Sequence, residues 1–600
     1  MSARLRRWMG HWVGGSARAV SALAMAAALA GCGASSSLHT PEVMEIAVLG
    51  FNDFHGNLEP PRLAVPVPAS TGASQVPAGG AAYFAGAVAA LKAQHPHHLL
   101  VSAGDMVGAS PLVSALFLDE PTIHAFNLMG VDFHAPGNHE FDKGWQELLR
   151  LQRGGCEKFT VREPCQSTTP GQSGGFAGAQ FPFLTANTLQ ADGSTLLPAT
   201  GLKRFSEGGA TITVGLIGLT LRATPQLVNP AGVAGLRFAD EADTVNALIP
   251  GLRAQGADVI VVVLHEGGST RAPVTETSCD GLSGDIVPIV QRLDPAVDVV
   301  VSGHTHQAYV CDYGRIDPAR PLLLTSAGQY GTLLTHIQLG VDTRTRRVVR
   351  KSARQVIVQG QAYGTVALHP GFARFEPQPQ VQELVQRYRS AAQPLLQRPV
   401  GQASGAFLRT MLPSGESVLG NLVADAQLAA TQAPEHGGAQ VSFMHAGGLR
   451  ADLVPDEQGL LRYQQLFAVQ PFGNSLEVRT YTGAQLHALL EQQFDDSHSS
   501  SYSRVLSVSQ GLSYRYDLRQ PPGQRVQDLR LHGVPIEPTQ PVRAVMSSFL
   551  AAGGSGFSVF TQGQEPTGGG QDIDALEAYF RTHSPVAPSS SARIQRIDIQ

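Results

Sequence analysis

Between residue 44 and about residue 358 the chain repeats one pattern. A short run of apolar, largely β-branched residues gives way to polar or glycine-rich positions and then to a stretch of helical character. The runs fall at residues 45–51, 98–102, 211–216, 258–264 and 297–302. Strand runs each followed by a helix predict layered α/β packing rather than an all-β barrel. Residues 60–78 and 166–178 are rich in Pro, Ser and Gly and read as loops. Residues 377–397 contain Val381-Gln382-Glu383-Leu384-Val385-Gln386-Arg387-Tyr388, a helix-like stretch bounded by prolines that reads as a connector. Beyond it the chain has its own helical patterns at 417–431 and 483–494, further strands, and a glycine-rich turn at Gly553-Gly554. No internal repeat is visible. The expected organisation is a first domain over 44–360, a connector over 361–397, a second domain over 398–585 and a tail over 586–600.

The first 43 residues follow a different pattern. A basic start, Arg4-Leu5-Arg6-Arg7, precedes an Ala-rich apolar run over 19–30 and then Leu29-Ala30-Gly31-Cys32. This reads as an export signal over 1–31 ending in a lipobox, with Cys32 the lipidated residue and 32–43 a small polar tether. An ordinary secretory signal with a chance cysteine is the alternative. The apolar run is shorter than the ~18–20 residues a spanning helix needs, and no later stretch reaches that length. Gly33 follows the cysteine where an inner-membrane retention signal would have Asp. The expected place is therefore the outer membrane, facing the periplasm through a lipid anchor alone, or the periplasm itself if Cys32 is not lipidated. Export leaves Cys156, Cys165, Cys279 and Cys311 in an oxidising compartment. Cys156 with Cys165 closes a short loop and is the favoured pair, with Cys279 and Cys311 as the other, although sequence alone leaves the connectivity open.

Composition narrows the class. Six hundred residues, 43% hydrophobic and 15% charged, allow several domains with a large buried core and exclude disorder as the dominant state. The 65 glycines and 39 prolines imply many loops. Net charge is −5, and the segment over 1–31 contributes Arg4, Arg6, Arg7 and Arg18 and no acid, so the remainder is more acidic still. An acidic surface argues against binding a nucleic-acid polymer and makes any phosphate chemistry depend on local cations or metals.

Candidate chemistry gathers at the ends of the strand runs. Asp53-Phe54-His55 follows the first run and Gly104-Asp105 the second. Gly137-Asn138-His139-Glu140-Phe141-Asp142 follows a turn, His265 ends the fourth run, and Gly303-His304-Thr305-His306 ends the fifth. Loops at the carboxyl ends of strands are where open α/β sheets place ligands. Oxygen and imidazole donors together suit Zn²⁺, Mn²⁺, Fe or Co, and the lack of cysteine argues against a structural Zn site. Each fragment alone is weak, but five in this order are a strong signal. His95, His97 and His98 read as a surface turn, and Glu266 as a residue behind a ligand or in solvent.

This ordered set resembles the calcineurin-type metallophosphoesterases, and within them the bacterial 5′-nucleotidase / UDP-sugar hydrolase branch, over roughly residues 44–585. The resemblance implies a four-layered αββα metallophosphoesterase sandwich followed by a smaller α/β substrate-binding domain. It implies two divalent ions, with Asp53, His55, Asp105 and His306 on one and Asp105, Asn138, His265 and His304 on the other. A hydroxide bridging two such ions would attack phosphorus in line. His139 would be the catalytic histidine that binds no metal. Asp142, three residues on, would orient it if 139–142 form a helical turn. The alternative is that Asp142 caps the following helix, 143–151.

The second domain would choose the substrate. By resemblance Phe472 and Phe549 sandwich a nucleobase, Arg450 and more weakly Arg409 reach the phosphate, and Asn474 contacts the base. Core phenylalanines, surface arginines and a turn asparagine are the plain alternatives. Two positions depart from the family. Its Gly-Gly-Asp-Gly-Phe/Tyr is Gly553-Gly554-Ser555-Gly556-Phe557 here, so Ser555 loses the charge-assisted acceptor for the ribose. Its Asn-Gly-Gly-Gly-Ile-Arg is His445-Ala446-Gly447-Gly448-Leu449-Arg450. The expected function is a secreted, monomeric two-metal phosphohydrolase acting on nucleotides, with UDP-sugars as further substrates. A 2′,3′-cyclic nucleotide phosphodiesterase, a thiosulfohydrolase and a non-catalytic binding lipoprotein are the alternatives, and neither native metal nor physiological substrate is legible.

Overall fold

The apolar runs become strands buried on both faces. A computed structural model describes residues 42–68, 73–160, 162–166, 175–494, 504–589 and 591–598. The export signal and Cys32 lie outside these residues. The first sheet has the order Arg347–Ile357, Leu333–Asp342, Val43–Phe51, His98–Ala103, Phe133–Ala135. The second runs Ala308–Asp312, Leu323–Ala327, Val299–Ser302, Val259–His265, Ala210–Thr220, Thr200–Glu207. Val43–Phe51 is parallel to His98–Ala103, and Val259–His265 is parallel to both of its neighbours. The chemistry-bearing segments therefore leave the carboxyl ends of neighbouring parallel strands.

The two sheets pack face to face through Ile46, Val48, Leu99 and Val101 on one side and Val214, Leu216, Val261 and Val301 on the other. Gly50 permits the close approach, because a Cβ there would stand 2.9 Å from a Val301 methyl. The outer face of the first sheet carries Leu49, Phe51 and Leu100 against the helices Ala81–Gln94 and Glu120–Met129. The outer face of the second carries Ile217, Leu219, Val262 and Val300 against Glu241–Ala254 and Ile286–Val290. Covering both faces explains why the runs read as continuous apolar stretches rather than alternating ones. This is the four-layered αββα sandwich.

The connector is the helix Pro379–Leu396, whose Gln378 side chain caps it by accepting from Val381 N–H. Val381, Leu384 and Tyr388 are buried against the helices of the first sheet, with the Tyr388 ring edge-on to Phe117 at 4.8 Å. The same apolar cluster continues through Leu396 and Val400 to Leu422, Phe467 and Phe580 of the second domain. The connector is thus part of a shared core. Beyond it, a five-stranded sheet of Ser507–Val508, Val441–Met444, Pro541–Ser547, Ser475–Thr482 and Gln564–Gln571 packs with the helices Val418–Thr431 and Asp572–His583. Its other face meets the helix Gly483–Glu491 and a small four-stranded sheet.

Two expectations change. Residues 60–78 are not all loop: Leu63–Pro68 pairs antiparallel with Ala73–Ala78, and Val65, Val67 and Val76 cover Leu333 and Ile357. Residues 586–600 are not a simple tail. Ile594–Arg596 forms a parallel strand beside Leu512–Tyr516, and the buried Glu416 carboxylate accepts from the N–H groups of Arg593 and Ile594 at 2.9 and 3.1 Å. Long-range pairing holds both segments, which local composition does not show. The structure joins Cys156 to Cys165 and Cys279 to Cys311. No helix among the described residues is long and apolar enough to cross a membrane.

If the connector belongs to a shared core, Leu384→Ala should destabilise the whole chain by about 2–5 kcal/mol, the cost of a buried Leu cavity. Chemical unfolding of both proteins tests this, and an unchanged midpoint would show that the helix is a free hinge.

Candidate functional site

The loops after the first two strands hold each other. Asp53 N–H donates to Gly104 carbonyl at 2.9 Å, His55 N–H to Asp105 carbonyl at 2.9 Å, and Gly56 N–H to Met106 carbonyl at 3.0 Å. Inside this lattice the backbone takes left-handed values at Asp53 (φ 49), His55 (φ 48), Asp105 (φ 50), His304 (φ 71) and His306 (φ 58). Such values cost non-glycine residues energy and collect at functional sites. Gly104 (φ +85) and Gly137 leave room for the ligating groups: a Cβ on Gly104 would stand 2.2 Å from His265 Nδ1, and one on Gly137 the same distance from Asp105 Oδ1.

Seven donors converge in three overlapping clusters: Asp53, His55 and His306; His55, Asp105 and His139; and Asp105, His265 and His304. Asp53 Oδ1 lies 3.3 Å from His306 Nε2 and 3.8 Å from His55 Nε2. Asp105 Oδ2 lies 3.7 Å from His55 Nε2 and 3.0 Å from His265 Nε2, and His304 completes a cluster with Asp105 and His265. Asn138 Oδ1 is buried without a hydrogen-bond partner, as is Asp53 Oδ1.

The hydrogen bonds behind these donors test whether a metal fits. His265 Nδ1 must donate to Ala103 carbonyl at 2.7 Å, and His55 Nδ1 must donate to Gly108 carbonyl at 2.8 Å. In a neutral ring each Nε2 is then a bare acceptor. His265 Nε2 faces the Asp105 carboxylate, and His55 Nε2 faces His306 Nε2 at 3.0 Å. The His55–His306 contact is satisfied by one Nε2 proton, but an acceptor His265 Nε2 against the Asp105 carboxylate requires a proton or a cation between them. Backbone-tethered imidazoles with free Nε2 atoms are also the usual support for metal ligands. The residues fit a divalent cation, with Asp53, His55 and His306 in one candidate cluster and Asp105, His265 and His304 in another.

The electrostatics agree. Burial disfavours the His265 cation, but the Asp105 charge, its hydrogen bond and Asp53 push the imidazole up to about 10. Burial lowers His55 well below its ordinary value and takes His304 down to about 4. Asp105 is held well below the usual carboxylate range, because His265 and His139 outweigh the burial that opposes it.

His139 lies in a cluster with His55 and Asp105 and also pairs with Asp142. His139–Phe141 is a 3₁₀ turn, and Asp142 Oδ2 meets His139 Nδ1 at 2.8 Å. The next helix is Trp145–Arg153 and its N-cap is Gly144, so Asp142 does not cap it. Burial lowers the His139 pKa, but Asp142 and Asp105 overcome it and the value is raised.

The second domain reaches this centre with some of its expected residues. The Phe472 ring stacks on His139 at 5.7 Å and 12°, and the Arg450 guanidinium lies 5.9 Å from the Phe472 centroid. Arg450 is close enough to lower the pKa of both His55 and His139. Phe549 is placed differently. It is buried, with His445 stacked on it at 4.9 Å, and a Cβ on Gly554 would touch its ring at 2.5 Å. Arg409 is exposed and bonded to Asp452 and to Leu449 carbonyl. Asn474 is bonded to Asp572, and Ser555 (φ 55) sits in a turn that packs on the first-domain helix Thr224–Leu227.

Three residues at the site were not singled out from the sequence. Asn52 holds Asp53 Oδ2 at 2.6 Å and bridges to Gly328 and Ala327. The Glu140 carboxylate accepts from the N–H groups of Asp105, Val107 and Gly137 at 2.9, 3.0 and 2.5 Å, clamping two ligand loops together. The Tyr330 ring stands edge-on to His55 and His306 at 5.8 and 5.7 Å. Only Glu140 left a trace, lying inside the 137–142 motif. One reading changes, since His97 is buried beside Phe205, and one alternative is settled: Glu266 is buried next to His265, accepting from Gly267 N–H at 2.9 Å, and is not in solvent.

Residues 46–308 match the family described as calcineurin-like phosphoesterase, and residues 399–562 match the 5′-nucleotidase C-terminal domain. The chain is 27% identical over 558 residues to the endonuclease YhcR of Bacillus subtilis, covering 92% of this chain but only 41% of that protein. It is 25% identical to a probable 5′-nucleotidase of Treponema pallidum, covering 94% of this chain and 96% of that one. Among solved structures, a 5′-nucleotidase precursor from Thermus thermophilus superposes with a TM-score of 0.70 at 23% identity, over 93% of this chain and all of that one.

Glu140→Ala would strand three N–H groups, all of them on buried residues of the two loops, at about 1–3 kcal/mol each. The expected result is a lower unfolding temperature together with a loss of bound metal after dialysis. Calorimetry and elemental analysis check it, and an unchanged metal content would mean that the loops hold without the clamp.

Proposed function

Because the chain belongs to the calcineurin-like phosphoesterases that carry a 5′-nucleotidase C-terminal domain, we propose that it hydrolyses the phosphoester of nucleotides. One observation supports this most: Phe472 of the second domain stacks on His139 of the first, and Arg450 lies beside it, close to His139 and His55. A ligand bound there meets cation-binding groups at one end and a flat ring with a guanidinium at the other, which suits a phosphate attached to an aromatic base.

Each residue then has a role. Asp53, His55, Asp105 and His306 hold one divalent ion, and Asp105, Asn138, His265 and His304 hold the other. Oxygen and nitrogen donors suit Zn²⁺, Mn²⁺, Co²⁺ or Fe. Bound there, two such ions supply charge neutralisation for the phosphoryl oxygens and a water of lowered pKa. His139, kept cationic by Asp142, stabilises the charge that grows on the phosphoryl group or gives a proton to the leaving oxygen. Arg450 binds a phosphate oxygen, and Phe472 moves from His139 to the base. Ser555 replaces a charged acceptor with a neutral one, so ribose contributes less to affinity.

The test is a panel on the metal-loaded protein: AMP, UDP-glucose, 2′,3′-cyclic AMP, bis(p-nitrophenyl) phosphate and thiosulfate. Chelation should abolish turnover, Mn²⁺, Co²⁺ or Zn²⁺ should restore it, and AMP should be the best substrate. His139→Ala should lower kcat by about 10²–10⁴ at unchanged metal content. Preference for the cyclic nucleotide or the sulfur compound would replace the reading, and loss of an ion from His139→Ala would make that histidine a ligand.

A further inference from the structure

Asn474 lies two residues after Phe472, across Gly473 (φ +66), and Ser548 lies one residue before Phe549. The Asn474 side chain joins the two segments. Its amide nitrogen donates to Asp572 Oδ2 at 3.2 Å, and its amide oxygen accepts from Ser548 Oγ at 3.5 Å. Asp572 N–H donates back to Asn474 carbonyl at 2.9 Å, closing a ring of contacts between the Phe472 loop and the start of the helix Asp572–His583.

A carboxylate in the first turn of a helix is ordinarily served by backbone N–H groups and by water. Asp572 is only 3% exposed. One of its oxygens accepts from Ile573 N–H at 2.8 Å, and the other meets a side chain 98 positions away in sequence. Burying a carboxylate is costly unless its partners are well placed, so this acid is tied to the position of Asn474. Both polar ends of Asn474 are engaged inside the protein, which makes it a strut between two loops.

We propose that Asp572 is a positioning residue for substrate selection: acting through Asn474, it fixes the Phe472 loop relative to the segment that carries Ser548 and Phe549. The inference rests on the nucleotide reading above. It concerns how the base is gripped, and the metal centre is not involved.

The experiment compares the metal-loaded full chain with Asp572→Ala, Asp572→Asn and Ser548→Ala, measuring kcat and KM for AMP and for p-nitrophenyl phosphate, with unfolding temperature alongside. Asp572→Ala should raise KM for AMP about tenfold, the worth of one buried hydrogen bond, with kcat within about twofold. KM for the aryl phosphate should shift several-fold less. Asp572→Asn, which keeps an acceptor for Asn474, should recover most of the AMP affinity. Ser548→Ala removes only the far end of the strut and should raise KM for AMP in the same direction, which keeps the test open if Asp572→Ala does not fold. Equal KM shifts on both substrates, or an AMP KM unchanged in the Ala variants, would overturn the proposal. A wild-type protein with no preference for AMP would overturn the nucleotide reading itself, and this inference with it.

Discussion

Two buried carboxylates and four imidazoles share one end of a two-sheet core, and they can coexist there only if positive charge joins them. Asp53 and Asp105 would repel each other in a dry site. The tethering of His55 and His265 through Nδ1 to backbone carbonyls turns their Nε2 atoms towards those acids. The rest of the first domain serves this constraint. Parallel strands from both sheets deliver the ligand loops to one end. The left-handed backbone at five of the clustered positions is sustained by loop-to-loop hydrogen bonds, while Asn52 holds the Asp53 carboxylate and Glu140 the Asp105 backbone from behind.

A site of this kind binds phosphate without choosing among phosphoesters, because metal ions and a cationic histidine recognise charge. Choice has to come from the second domain, and the structure shows how the two are coupled. The connector helix shares its apolar face with both domains, so the position of Arg450 and Phe472 over the metal-binding end is set by packing. Under the proposed nucleotide reading, the stack of Phe472 on His139 is the contact that a base would displace. His445 over Phe549 presents an imidazole where the family resemblance implies an asparagine. Burial and the neighbouring Arg450 lower this imidazole to about 4, so it offers the ligand a neutral ring.

Much of this was legible because ligand chemistry is written locally. Asp and His placed directly after apolar runs are few, and strand ends are where such residues act, so the convergence of Asp53, His55, Asp105, His265, His304 and His306 and the αββα architecture could be read from pattern and resemblance. Supporting roles were less legible. Asn52 acts through Gly328 and Ala327, nearly 280 residues away, and Tyr330 reaches His55 only through the fold. The strand Ile594–Arg596 depends on Glu416, and the hairpin over 63–78 hides behind prolines that suit an edge position. Asp142 was ambiguous from sequence because an acid after a short turn also suits a cap. The position of Gly144 resolves it.

The central claim is that Asp105 is shared by two cation-binding sets. Anomalous diffraction from crystals of the full chain grown with Mn²⁺ or Zn²⁺ tests it directly. The account predicts two peaks, one bounded by Asp53, His55 and His306 and the other by Asn138, His265 and His304. Both should lie within about 2.0–2.2 Å of Asp105 carboxylate oxygens. A single peak, or two peaks of which only one contacts Asp105, would contradict it.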